Sequence, residues 1–163
     1  MINIVLIEPE IPQNAGNIVR TCSAIGAKLY MVKPLGFELN DKYFKRAGLD
    51  YFQLACMEVI DDFNKLYEDN KDQQFYFAST KSEKIYTEVN YPENCFIVFG
   101  KESFGIRESL LKKHYKDCIR IPMKKEARSL NLSNSVSIIA YEAMRQQNFG
   151  GLKEYGELTG RID

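Results

Sequence analysis

The sequence has no tryptophan, one histidine and four cysteines, and no apolar run long enough to cross a bilayer. Each shortage closes off a class of chemistry. Cys22, Cys56, Cys95 and Cys118 form no CxxC pair, and His114 has no second histidine to join it. A zinc site and a disulfide framework therefore lack their side chains, and no metal is expected. The cysteines stand in apolar contexts, which predicts buried, reduced thiols and a cytoplasmic protein. "MINIVLIEPE" has no basic leading segment and too short an apolar run for a signal peptide, so neither export nor a membrane partner is expected. Lys plus Arg number 22 and Asp plus Glu 22, giving zero net charge. No overall field draws in nucleic acid, and any such contact falls to local basic patches.

What is present reads as an ordinary globular chain. Its 163 residues suit a single domain, 1–163, with a C-terminal tail from about Gly150 that is loosely held or used in subunit contacts. Ile2 to Ile7 is an apolar run broken only by Asn3, the pattern of a buried strand. "EPEIPQN" punctuates it, and Pro12 suits the first turn of a helix over Gln13 to Ile25, with Gly26 as its stop. Lys28 to Val32 is a second strand. Asp41 to Ala47 is a short basic helix stopped by Gly48, Leu54 to Ile60 a third strand, and Asp61 opens a helix to about Glu68. "QFYFAST" and "CFIVFG" read as strands, "RESLLKKHY" as a helix, "CIRIP" as a strand, and Leu132 to Gln147 as the last long helix. The alternation predicts an α/β fold, a mainly parallel sheet flanked by helices on both faces.

In such sheets ligands collect at the carboxyl ends of strands. Three of those ends are rich in polar and turn residues: Pro9 to Arg20, "FGKESFGIR", and "IPMKKEARSLNLSNS". Familiar motifs do not fit them. "GKESFG" is no P-loop, "QNAGNIVR" lacks GxGxxG, and no GxSxG occurs. His114, in a basic helix with no nucleophile nearby, reads as a surface histidine. On the first helix Ala15, Ile18, Val19, Cys22 and Ile25 form the apolar stripe, while Gln13, Asn17 and Arg20 share another face with Asn14 at its border. That face carries amides and a guanidinium but no carboxylate. In "SLNLSNS", one of Ser129, Asn131 and Ser133 suffices to cap the following helix, and one cap accounts for one residue. The alternation of Leu130 and Leu132 with polar positions suits a loop wrapped round a ligand. Gly100 offers a close backbone approach and Gly105 a turn, with Glu102 between them.

Together "EPEIPQNAGNIVRTC", "PLGF", "GLDY", "FGKESFGI" and "IRIPM…RSLNLSNSVSIIAYEAMRQ" resemble the SPOUT superfamily of RNA methyltransferases. They are most similar to its small TrmL (YibK-like) tRNA wobble-ribose methyltransferases. The usual proline after "GI" is Arg107 here. The resemblance implies a deep C-terminal trefoil knot that gathers the second and third motifs round S-adenosylmethionine, with no metal. It implies cofactor contacts at Ala78, Gly100, Ile121, Ser129 and Leu130, and a catalytic group of Arg20, Asn14, Glu102, Ser129 and Asn131. The implied reaction is 2′-O-methylation of the ribose at tRNA position 34, a cytidine or modified uridine, in leucine isoacceptors.

A guanidinium stays charged near neutral pH, so Arg20 either acts as a strongly perturbed base or stabilises and aims the attacking oxygen. Relatives place this arginine at a homodimer interface, towards the partner's cofactor. Lys42, Lys45, Arg46, Arg107, Lys124, Lys125 and Arg128 are candidate RNA contacts. Two alternatives remain at this point: methylation of another tRNA or ribosomal ribose, and a knotted RNA-binding module without catalysis. The chain has no room for the added RNA-binding domain of larger ribosomal enzymes.

Overall fold

The computed structural model describes residues 1–48 and 56–158. Most of the "GLDY" motif, and the start of the strand expected from Leu54, lie outside those residues, as do the end of the tail and the side chain of Lys45. Six strands form one parallel sheet: β1 (Asn3–Ile7), β2 (Lys28–Val32), β3 (Cys56–Ile60), β4 (Phe75–Ala78), β5 (Phe96–Phe99) and β6 (Cys118–Ile119). Their spatial order is β3-β2-β1-β5-β4-β6. Between them run α1 (Pro12–Ile25), α2 (Lys42–Gly48), α3 (Phe63–Asp69) and α4 (Glu108–Lys113), and α5 (Leu132–Gln146) closes the fold.

The period-two alternation of the strands sorts the core into two layers. Ile4, Leu6, Leu29, Met31, Ile97 and Ile119 face α1 and α5, joined by Ile18, Val19, Val136 and Ile139. Val5, Tyr30, Phe77, Val98 and Cys118 face the other way, onto Phe63 and Leu66 of α3 and Leu111 of α4. Both layers bury apolar side chains, so the strands read as continuous runs, as expected of a parallel sheet.

Local signals act largely where the sequence puts them. Pro12 starts α1, and Gly26 ends it in the left-handed region at φ 66°. Asp41 caps α2, accepting from Tyr43 N at 2.7 Å. Asp62, not Asp61, caps α3. The expected "CIRIP" strand shortens to Cys118–Ile119, because Arg120 leaves the β4 edge to bridge Ile85.

Two readings need correction. Cys56 is exposed on the edge strand β3, whereas Cys22, Cys95 and Cys118 are buried. Burial lifts the Cys22 and Cys95 thiols to about 12, so neither is a nucleophile near neutral pH. His114 is half-buried rather than a surface residue. It stacks on Phe77 at 4.6 Å and meets Tyr67 edge-on at 4.8 Å, and burial pulls its pKa below the usual histidine value. Among the described residues, no helix is long and apolar enough to cross a membrane.

Candidate active site

The carboxyl ends of β1, β4 and β5 and the segment entering α5 surround a cavity of about 480 Å³. That size falls within the roughly 300–1,000 Å³ of small-molecule sites. Gly100 and Glu102 come from the β5 loop, Ala78 from the end of β4, Asn14 from the first turn of α1, and Ile121, Ser129, Leu130 and Asn131 from the approach to α5; all line it.

A chain of hydrogen bonds joins the three sequence-distant segments. The Glu102 carboxylate accepts from Asn14 Nδ2 at 2.9 Å, Glu10 N at 2.8 Å and Ile11 N at 3.3 Å. Asn14 then accepts through Oδ1 from Asn131 Nδ2 at 2.9 Å. Asn131 Oδ1 in turn accepts from Ser133 N at 2.9 Å and Asn134 N at 3.3 Å, which caps α5. These donors and acceptors alternate without a mismatch, so the carboxylate orients Asn14 and Asn14 orients the cap. Asn14 is buried, which raises the cost of breaking any link.

The polar crowd around the α5 entry thus divides. Asn131 is the cap and also a relay member, while Ser133 Oγ donates to Asn131 Oδ1 at 2.7 Å and Ser135 Oγ to Asn131 O at 3.1 Å. Ser129, Leu130 and Ser135 face the cavity. Capping therefore explains more of the segment than a single residue, contrary to the simple expectation.

The β5 loop is shaped by Gly100. A Cβ there would stand 2.0 Å from the Gly105 carbonyl carbon and 2.2 Å from Ile106 N. The loop folds back on itself through Gly105 N donating to Lys101 O at 2.8 Å, and Gly105 has φ 73°. Only glycine fits the first position, and the second favours it.

Several residues the sequence reading passed over hold this loop. Glu10 accepts from Ser103 N and Ser103 Oγ, both at 2.9 Å, and these bonds keep its carboxyl below the usual range. Glu8, at φ 51°, pairs with Arg107 at 2.6 Å and Lys101 at 3.1 Å. The two carboxylates of "EPE" had read as punctuation; two acids at a strand's carboxyl end, facing a loop with Lys and Arg, were the available signal.

Arg20 stands outside the lining of this cavity. It is exposed on α1 and absent from the cavity lining, as are Gln13 and Asn17. Thr21, one residue on from Arg20 and at the border of that polar face, joins α1 to α5 through Thr21 Oγ1 and Ser137 Oγ at 3.2 Å. Among the basic candidates, Arg128 lines the cavity, Arg107 is tied to Glu8, Lys42 lies over the Tyr43 ring, and Lys124, Lys125 and Arg46 are exposed. Among the described residues there is no cluster of three or more His, Cys, Asp or Glu suited to a metal.

Comparison with known proteins identifies the family. Residues 1–141 match the SpoU rRNA Methylase family. A relative from Listeria monocytogenes is 45% identical over 153 residues, covering 92% of this chain and 90% of its own length. The tRNA (cytidine(34)-2′-O)-methyltransferase of Escherichia coli K12 is 40% identical over 152 residues, covering 93% and 97%. A solved structure concerned with 2-OH methylation of C/U34 on tRNA superposes with a TM-score of 0.86 at 39% identity, covering 91% of this chain and 97% of that one. The parallel sheet, the three-segment cavity and these matches place the chain in the SpoU methylase family, within the SPOUT methyltransferases.

Proposed function

We propose that this chain transfers a methyl group from S-adenosylmethionine to the 2′-hydroxyl of the wobble ribose, position 34, of tRNA. The observation that carries the reading is the Glu102–Asn14–Asn131 relay, which ties three motifs distant in sequence round one cavity. The names of the relatives support position 34 and cytidine; uridine and leucine isoacceptors are the finer part of the proposal.

The cavity's surroundings suit an adenosyl donor. Ile121 and Leu130 provide apolar faces for a purine, and backbone groups near Ala78 and Gly100 meet its polar edges. The bound donor supplies an electrophilic methyl and its own leaving group. The protein's share is orientation and electrostatics. Gly100 lets the β5 loop close, and the relay fixes Asn131 and hence the approach to α5. Ser129 stands at the rim, where it can hold the ribose or donor by its hydroxyl.

Arg20 lies outside the cavity of its own chain, which fits a homodimer in which α1 delivers Arg20 to the partner's site. There the guanidinium stabilises the negative charge that develops on the 2′ oxygen as the hydroxyl gives its proton to solvent water and forms its bond to the methyl carbon, and it aims the adjacent phosphate. The polypeptide leading through the cavity segments into α5 is proposed to be threaded as a trefoil knot. Cytoplasmic residence follows from the substrate.

Unmodified tRNA transcripts test the reading. Labelled methyl enters a transcript with cytidine at the wobble position, and replacing that nucleotide alone by its 2′-deoxy form abolishes transfer. Undiminished transfer to the deoxy transcript would falsify the assignment.

A further inference from the structure

The cavity rim carries an aromatic ring that neither the relay nor the donor-holding residues use. Phe104 lies on the β5 loop, lines the cavity, and is 63% exposed. A large apolar side chain left in water is ordinarily tolerated on a mobile surface, yet this loop is anchored at every neighbouring position. Glu102 takes three N–H bonds, Ser103 makes two to Glu10, and Gly105 closes back on Lys101. The ring is thus presented by fixed backbone, which lowers the entropy lost when something packs on it.

The charge around it identifies the occupant. Among the described residues, the charged side chains lining the cavity are Lys81, Lys101, Arg128 and Glu102. Three are cations, of which Lys101 is paired with Glu8 at 3.1 Å and Lys81 with Glu108 at 2.6 Å, leaving Arg128 as the cation without an ion pair among the described residues; the one carboxylate already faces the three N–H donors of the relay. An exposed ring on a rigid loop, with an arginine that has no acidic partner lining the same cavity, suits single-stranded nucleic acid: the ring stacks a base and Arg128 meets a phosphate. A folded protein partner would need a wider apolar surface than one ring with Ile11 and Leu130 beside it.

We propose that Phe104 is a stacking platform for an unpaired nucleobase next to the ribose that receives the methyl group, and so sets which loop conformation of the RNA is accepted. This rests on the RNA ribose methyltransferase reading above. Phe104 acts as a binding and specificity residue and takes no part in the methyl transfer step.

The test uses two anticodon stem-loop RNAs, one with 2-aminopurine just before the wobble nucleotide and one with it just after, bound in the presence of S-adenosylhomocysteine. Wild-type protein should quench the fluorescence of one of them. Phe104→Leu and Phe104→Ala should abolish that quenching and weaken RNA binding about tenfold or more, and Phe104→Tyr should retain both. Calorimetric affinity for S-adenosylhomocysteine alone should be the same in all four proteins. Equal RNA affinity in wild-type and Phe104→Ala overturns the proposal. So does a loss of donor affinity in Phe104→Ala, which would make the ring part of the donor site, or a loss of dimer in that variant, which would make it part of a protein interface. Because binding is read without turnover, the two readings fail separately. Quenching without methyl transfer sinks the enzyme reading alone, and transfer with no dependence on Phe104 sinks the stacking alone.

Discussion

Glu102→Gln probes the relay with almost no change of shape. The two short bonds fall on different oxygens: Glu10 N on Oε2 at 2.8 Å and Asn14 Nδ2 on Oε1 at 2.9 Å. A carboxamide has one oxygen, so whichever way it turns, its NH2 group faces a donor and one short bond is lost. The other falls from charge-assisted to neutral. Bonds to charged groups contribute about 1.5–3 kcal/mol and neutral ones about 0.5–1.5, which puts the loss at roughly 2–4 kcal/mol. The site is only partly buried, so the lower end applies, about 2 kcal/mol. For a domain of this size that lowers Tm by about 4–8 °C. Thermal unfolding by circular dichroism reads it directly. A double-mutant cycle with Asn14→Ala should then show a coupling of about 0.5–3 kcal/mol, since the two side chains share one bond. A Tm within about 1 °C of wild type, together with an additive cycle, would refute the claim that the relay holds the three segments together.

Gly100→Ala places Cβ 2.0 Å from a backbone carbon, where about 3.5–4.0 Å is comfortable, so the β5 loop must open by about 1.5 Å or more. The expected outcome is loss of S-adenosylhomocysteine binding by calorimetry with a lowered Tm; wild-type affinity would show that the loop need not close. Arg20→Ala should abolish methyl transfer while donor binding persists, and Arg20→Lys should recover only part of the rate. Co-expression of Arg20→Ala and Gly100→Ala chains should restore activity towards about a quarter of wild type, because one site in each mixed dimer is intact; no recovery means that Arg20 serves its own chain's cavity. His114 is held below its ordinary pKa by burial. Its neutral form is the one the fold favours, so its contribution is complete above about pH 6.5 and is lost as pH falls below that value. Tm should drop between pH 7 and pH 5, above the range where the carboxylates titrate, and His114→Phe should flatten that slope.

Much of the architecture was legible because it is written locally. The apolar runs of β1, β2 and β5 are bounded by Pro, Gly and polar turns, and α1 has its start at Pro12 and its stop at Gly26. The cavity residues were named through family motifs, and eight of the nine line one cavity. Their partners were not legible. Asn14 meets Glu102 across 88 positions and Asn131 across 117, and nothing in either neighbourhood states which amide faces which acid. The same blindness hid Glu8 and Glu10, whose cationic and hydroxyl partners lie more than ninety residues on. His114 was misjudged because its helix reads as basic and exposed, while the Phe77 ring beneath it belongs to β4. Arg20 marks a different limit. Its helix face is exposed in a single chain, and the role proposed for it rests on a second chain that one sequence does not display.

The central claim is met most directly by mapping where the methyl group goes. Total tRNA from cells lacking this gene is incubated with the purified protein and deuterated S-adenosylmethionine, digested to nucleosides, and analysed by mass spectrometry alongside oligonucleotide fragments. The account predicts a single added CD3 group on the ribose of the wobble nucleotide. A label on a base, on a ribose elsewhere, or on no nucleoside at all would contradict it.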